Sequence, residues 1–266
     1  MRLTIEHSTR FRYDVAPSYG LLQLRMVPQG SAAQKVHNWD LSLTGARQQA
    51  RFQDQHSNWV DLIELLPDAR EIEIKVSGMV ETLSGDGILG RHFQSMPLWF
   101  YQRQTALTQP DDDILDLLGG PASSFTPDLT SLHALSHAIR EKVAYTQGVT
   151  QVSTRAADAL ARAQGVCQDH AHIFLSAARA AGLPARYVSG YLMMNDQIDQ
   201  DASHAWAEAH LEGLGWVAFD VSNGISPDQR YVRIAHGLDY ADVAPSKGVT
   251  LGAQRENLIV SIQVQQ

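Results

Sequence analysis

The strongest constraint in this chain is a change of hydrophobic period part-way along it. Up to about residue 80, apolar and polar residues alternate. Leu3, Ile5 and His7 interleave with Arg2, Thr4 and Glu6, and the pattern recurs in Leu22-Gln23-Leu24-Arg25-Met26, Val36 to Leu43, Trp59 to Leu66 and Ile72 to Val80. A period of two buries one face of a strand, and Gly, Pro, Asn or Asp bounds each run. About six antiparallel strands with one apolar face predict a small β-sandwich over residues 1–85. Residues 86–124 read as a connector, rich in turn formers such as Pro97, Pro110-Asp111-Asp112-Asp113 and Gly119-Gly120-Pro121. The acidic run Asp111 to Asp113 is a helix start or a solvated loop. Beyond the connector the period becomes helical: Leu132, Leu135, Ile139 and Val143 predict a helix over Leu129 to Tyr145, with a second over Arg155 to Gln164. Residues 125–266 therefore predict an α+β domain. Its tail, Leu258 to Val264, alternates β-branched residues and predicts a strand that returns to one of the sheets.

Composition narrows the function. The 266 residues are 44% hydrophobic, enough for one large core or two small ones. A net charge of -8 repels phosphate backbones and disfavours nucleic acid as a partner. No run of about 18 apolar residues is present, so no membrane span is expected. The start, Met1-Arg2-Leu3-Thr4-Ile5-Glu6-His7, is too polar for a signal peptide. A single cysteine cannot form an internal disulfide, which suits a reducing cytoplasm and places any thiol chemistry on Cys167.

The stretch from 165 to 220 carries that chemistry. Gly165-Val166-Cys167 precedes a helix lined by Ala171, Phe174, Leu175 and Ala178, which Gly182-Leu183-Pro184 stops. Ala185 to Met193 reads as a strand, Asn195 to Asp201 as a polar loop, and Ser203 to Leu211 and Trp216 to Asp220 as two further strands. Gly213 and Gly215 supply the tight turn between the last two. A helix N-terminus favours a thiolate at Cys167 and offers amides to an oxyanion. His204 is a residue type that takes and returns a proton near neutral pH, and Asp220 one that fixes its tautomer. Strand parity sets a condition. A three-residue loop at 212–214 pairs Leu211 with Gly215 and sets Asp220 opposite Trp206, with His204 a diagonal neighbour on the same face. A loop of two or four residues puts Asp220 on the other face.

These residues carry a resemblance. Gly165-Val166-Cys167-Gln168-Asp169-His170-Ala171-His172, Ala185 to Tyr191, Ser203-His204-Ala205-Trp206-Ala207-Glu208 and Gly215-Trp216-Val217-Ala218-Phe219-Asp220 resemble, in order and spacing, the motifs of the bacterial transglutaminase-like superfamily. His7 to Tyr13 and Leu24-Arg25-Met26-Val27-Pro28 are similar to the β-domain that often precedes that core. The resemblance implies a papain-like α+β core, a helix bearing the nucleophile packed on an antiparallel sheet, and thiol acyl transfer by Cys167, His204 and Asp220. One departure is visible: Val221-Ser222 stand where the family usually has Pro-Thr after the aspartate. Tyr145 matches an aromatic position before the nucleophile, as an oxyanion donor or as a core tyrosine. Trp206 shares the face of His204 and is a candidate cleft wall.

Cys167, Asp169, His170 and His172 are potential metal ligands. His170 and His172 point about 200° apart on a helix, and no second Cys or His pair stands at ligand spacing. No cofactor is expected. The expected activity is hydrolysis of a peptide-like amide in a peptide or protein substrate. A cross-linking transglutaminase, in which an amine resolves the thioester, is the alternative enzyme. A non-catalytic peptide-binding module on the same core is the alternative from another class.

Overall fold

The computed structural model describes residues 1–83, 85–92, 96–194, 199–253 and 255–266. Six strands come from the first part of the chain: β1 (Arg2–Tyr13), β2 (Tyr19–Leu24), β3 (Gln34–Thr44), β4 (Ala46–Gln53), β5 (Trp59–Leu65) and β6 (Glu71–Thr82). Then follow β7 (Ile88–Gly90), α1 (Asp112–Asp116), α2 (Leu129–Lys142), β8 (Ala144–Tyr145), α3 (Ala156–Arg162), β9 (Gln164–Gly165) and α4 (Cys167–Ala180). The rest comprises β10 (Ala185–Leu192), β11 (Asp199–Gln200), β12 (His204–Leu211), β13 (Gly215–Phe219), β14 (Tyr231–Gly237), α5 (Tyr240–Val243), β15 (Ser246–Leu251) and β16 (Glu256–Gln265).

The early alternation does what a period of two requires. In β1, Leu3, Ile5, His7, Thr9, Phe11 and Tyr13 face inward and their neighbours outward. One sheet has the order β11-β16-β1-β6-β3 and the other β15-β2-β5-β4. Their apolar faces meet around Phe11, Leu24, Ile63, Ile72 and Ile74. Both sheets are completed from the far end of the chain. β16 pairs antiparallel with β1 from Thr4↔Gln265 to Tyr13↔Glu256, and β15 pairs with β2.

The second unit is an antiparallel sheet of order β14-β10-β12-β13-β7, with α4 against one face. Helix α4 is buried almost all round because the sheet, α2 and α3 enclose it. Phe174 of α4 stacks on Phe219 of β13 at 5.1 Å between centroids, while Leu132, Leu135 and Ile139 of α2 fill the same core. On the opposite face, Arg186 and the part-exposed Arg233 form an ion-pair triad with the buried Glu208, and the Arg186 guanidinium lies 3.9 Å from the centre of the Trp216 ring. The three aromatics Trp206, Trp216 and Phe219 are all buried but lie in separate apolar clusters.

Three local expectations are modified. The helix expected to reach Tyr145 ends at Lys142, since Val143 turns extended and its carbonyl accepts from His170 Nε2 at 3.0 Å. Ala144 and Tyr145 instead form a short parallel ladder with Gln164 and Gly165. Within the stretch read as a connector, Ile88 to Gly90 adds a strand to the edge of β13; three residues are too few to display a period. Asp111 does start a helix, accepting from the Ile114 amide at 3.0 Å. Of the polar loop expected over 195–201, residues 195–198 lie outside the described residues, while Asp199 and Gln200 pair with β16.

The turn between β12 and β13 is the tightest constraint near the site. Leu211 pairs with Gly215, and Gly213 and Gly215 both sit at φ +80°. A Cβ on Gly215 would lie 2.0 Å from the Gly90 carbonyl oxygen. Gly215→Ala is therefore expected to destabilise the fold by more than about 1 kcal/mol, through both the positive φ and the clash. Chemical denaturation of the two proteins measures this, and an unchanged midpoint would refute it.

Candidate active site

Cys167 is the first residue of α4, half-buried, and the residue before it is a valine. Valine has no side-chain acceptor, so the first-turn amides of α4 carry no side-chain cap. The turn is held from the other side instead. Asp169 accepts from the Val166 amide at 2.8 Å and from Thr150 Oγ1 at 2.7 Å. A Cβ on Gly165 would meet Asp169 at 2.7 Å, so the glycine lets this carboxylate close on the turn. The thiol is thus presented by a braced turn to open N–H groups.

His204 opens β12 and is 7% exposed; Asp220 follows β13 and is 0% exposed. The β12–β13 ladder runs from Leu211↔Gly215 to Ala207↔Phe219, so Asp220 falls one step past its end, in register with Trp206. That is the parity the three-residue turn demands. His204 Nε2 donates to Asp220 Oδ2 at 2.6 Å. With Nε2 committed there, Nδ1 is the nitrogen left to face Cys167, whose nearness favours the charged imidazole. Burial alone would lower the His204 pKa. The Asp220 hydrogen bond and charge, followed by Cys167, outweigh it and push the value up to about 10. Burial likewise works against the Asp220 carboxylate, but donors from His204, Tyr231 and Asn223 hold its pKa below the ordinary value.

The remaining predicted residues lie around this centre. Tyr145 is half-exposed, with its ring centre 6.2 Å from that of His170; burial first, then the charge of Cys167, raises its phenol pKa. Trp206 is buried with its ring 6.2 Å from that of His204. The potential metal ligands Asp169, His170 and His172 have other partners. His170 bridges Val143 O and Ser222 Oγ (2.8 Å), Asp169 holds the turn, and His172 Nε2 accepts from the Tyr240 amide at 3.2 Å. Among the described residues, no group of three His, Cys, Asp or Glu is placed to hold a metal ion.

Two partners of Asp220 escaped sequence reasoning. Asn223 donates from Nδ2 to Oδ2 at 2.7 Å and from its backbone to Oδ1 at 3.1 Å. An aspartate three residues before an asparagine in a turn is a signal that could have found it. Tyr231 donates its hydroxyl to Asp220 Oδ2 at 2.7 Å from a separate strand, and no local pattern announces that contact. Ser222, at the departure from the usual Pro-Thr, gives its hydroxyl to His170 and so ties the Asp220 loop to α4.

A thiol on a helix N-terminus, facing a strand histidine that an aspartate on the next strand orients, defines a papain-like cysteine-enzyme core. Residues 121–221 match the model of the transglutaminase-like superfamily, and residues 3–81 match the bacterial transglutaminase-like N-terminal region. The chain belongs to that superfamily. Uncharacterized proteins of Mycobacterium leprae and Mycobacterium tuberculosis H37Rv are each 28% identical to it; both alignments cover 99% of this chain, with 98% and 91% of the relative. A solved structure from Cytophaga hutchinsonii, provisionally described as a cysteine protease, superposes with a TM-score of 0.76 at 19% identity, over 100% of this chain and 98% of that one. It shares the fold.

The raised His204 pKa sets a pH dependence. An imidazole whose pKa is about 10 in the fold and 6.5 ordinarily binds its proton more tightly when folded. Its contribution to stability is full below pH 6.5 and is lost as pH rises toward 10. Melting curves of wild type and His204→Gln over that range should therefore converge toward the alkaline end. A gap that stays constant with pH would exclude the ion pair.

Proposed function

We propose that the chain is a cysteine peptidase or amidase that cleaves a peptide-like amide through a thioester acyl-enzyme. The observation that carries this reading is His204, held between Cys167 and a buried, ionised Asp220. The thiol proton passes to His204, leaving a thiolate and an imidazolium. The sulfur attacks the carbonyl carbon, and the first-turn amides of α4 face the developing oxyanion. His204 returns its proton to the departing amine and the thioester forms. The neutral imidazole then takes a proton from water, which attacks the thioester, and the thiol is regenerated with the acid product. Throughout, Asp220 keeps Nε2 protonated and Nδ1 turned to the reacting groups. Tyr145, half-exposed and near enough to Cys167 to feel its charge, is the candidate further donor to the oxyanion, and Trp206, whose ring lies beside that of His204, is the candidate cleft wall.

Transfer to an amine would use the same three residues in the same roles and differs only in the second nucleophile. A product assay with and without a primary amine separates the two: free acid in both cases is hydrolysis, and an amine adduct is transamidation. A working thiol suits a reducing compartment such as the cytoplasm.

The test needs no knowledge of the natural substrate. A peptide-directed electrophile should add one label per chain by intact mass, and Cys167→Ala should add none. On a generic peptide amide, Asp220→Ala should lose activity by up to about 10⁴-fold, the size known for a serine triad. In a Cys167→Ala background it should add almost nothing, because the members act as a unit. Near-normal turnover of a folded Asp220→Ala protein would remove Asp220 from the mechanism.

A further inference from the structure

The region matched by the superfamily core ends at residue 221, yet a chemically important contact to the site comes from beyond it. Tyr231 opens β14 and donates its hydroxyl to Asp220 Oδ2, the same oxygen that accepts from His204. Its ring lies 5.9 Å from that of His204 and stands edge-on to Trp206 at 5.5 Å. Burial, then the charge of Asp220, raises its phenol pKa, so the hydroxyl remains a donor wherever the enzyme would work.

Among the described residues, β14 is the edge strand of its sheet, with β10 on one side and no strand on the other. Its exposed backbone groups are taken by two side-chain amides of the amino-terminal sandwich. Gln34 Nε2 donates to Arg233 O and Gln34 Oε1 accepts from the Arg233 amide, both at 2.8 Å. Asn58 Nδ2 donates to His236 O at 2.8 Å and Oδ1 accepts from the His236 amide at 3.0 Å. Each amide imitates one rung of a β-ladder. Gripped residues three apart suit a strand whose register with β10 shifts between Ala235 and Arg233. On the other side of Tyr231, Thr82 Oγ1 donates to Gln229 O. Sandwich residues therefore hold β14 on both sides of the tyrosine.

We propose that Tyr231 is a fourth, positioning member of the Cys167–His204–Asp220 site, and that the amino-terminal sandwich sets it by gripping the outer edge of β14 through Gln34 and Asn58. The inference rests on the proposed cysteine chemistry and gives the sandwich a part in it. Tyr231 draws charge from the Asp220 oxygen that His204 uses. That tempers the carboxylate, keeping the imidazolium acidic enough to protonate a leaving amine. The titratable groups facing the pair are Cys167 and His170 of α4, Tyr145 of β8, and Arg230 just before β14.

The test is an NMR titration of the His204 imidazole in the full chain, for wild type, Tyr231→Phe, Gln34→Ala and Asn58→Ala, with a melting curve for each. Phenylalanine keeps the ring contacts and removes one donor. The His204 midpoint in Tyr231→Phe should rise above the wild-type value, and turnover on a peptide amide should fall about ten-fold, the scale of one charge-assisted hydrogen bond. Gln34→Ala and Asn58→Ala should shift the midpoint in the same direction by less. A midpoint unmoved in Tyr231→Phe, whatever its melting temperature, overturns the role of Tyr231. A shift in Tyr231→Phe with none in either amide variant overturns the role of the sandwich. Iodoacetamide labelling of His204→Ala separates this from the underlying chemistry. Labelling slowed by His204→Ala, with the Tyr231→Phe midpoint unmoved, leaves the thiol reading standing and removes the inference. Labelling unaffected by His204→Ala removes both.

Discussion

Asp220 has no exposure to solvent and still keeps its carboxyl below the ordinary range. A buried carboxylate without partners is costly by several kcal/mol and would take up a proton instead. Here the charge persists because four N–H and O–H donors converge on two oxygens. One comes from β12, one from β14, and two from the turn that follows the aspartate itself. Each donor fixes the position of the element that carries it. The imidazole orientation, the β12–β13 register and the seating of β14 are all conditions for keeping this one charge buried.

The neighbouring buried carboxylate makes an informative contrast. Glu208 is also 0% exposed, and burial would raise its pKa, but Arg186 and Arg233 hold it ionised. Arginine does not release its proton in the working pH range, so that triad is a fixed joint. Asp220 is paired with a histidine, which can. Two acids buried on one sheet thus differ in character because one partner is a permanent cation and the other a residue type that can exchange its proton. Neither the burial nor the strand position separates them; the identity of the partner does.

The sandwich joins this arrangement through polar groups at its edge as well as through a shared apolar core. Its sheets require β15 and β16, so the chain must pass through the whole second unit before the first is complete. Beside the apolar core that Leu3, Ile5 and Val80 share with Val232 and Ile234, bidentate amides link the two units at β14, and these are directional and fix register as well as contact. An apolar contact there would tolerate sliding by a fraction of an ångström; a pair of opposed hydrogen bonds would not.

Much of this was open to reading from the residues alone. Strand alternation in β1, β2, β5 and β6, the helix after Cys167 and the parity that puts Asp220 on the face of His204 all follow from local periods of 2 and 3.6 and from the number of residues in one turn, whereas β4, polar along nearly all its length, shows no such period. These are short-range properties, written in consecutive side chains. The tertiary structure alone decided that Ile88 to Gly90 joins the edge of the sheet that carries His204, which sheet the last strand joins, that Tyr231 reaches Asp220, and that Gln34 and Asn58 reach the edge of β14. Each of those depends on groups far apart in the chain. A tyrosine eleven residues past an aspartate, or a glutamine some 200 positions from the backbone it pairs with, leaves no periodic trace. Such contacts form because buried donors and acceptors must be paired, and which group answers that demand is settled only when the chain has packed.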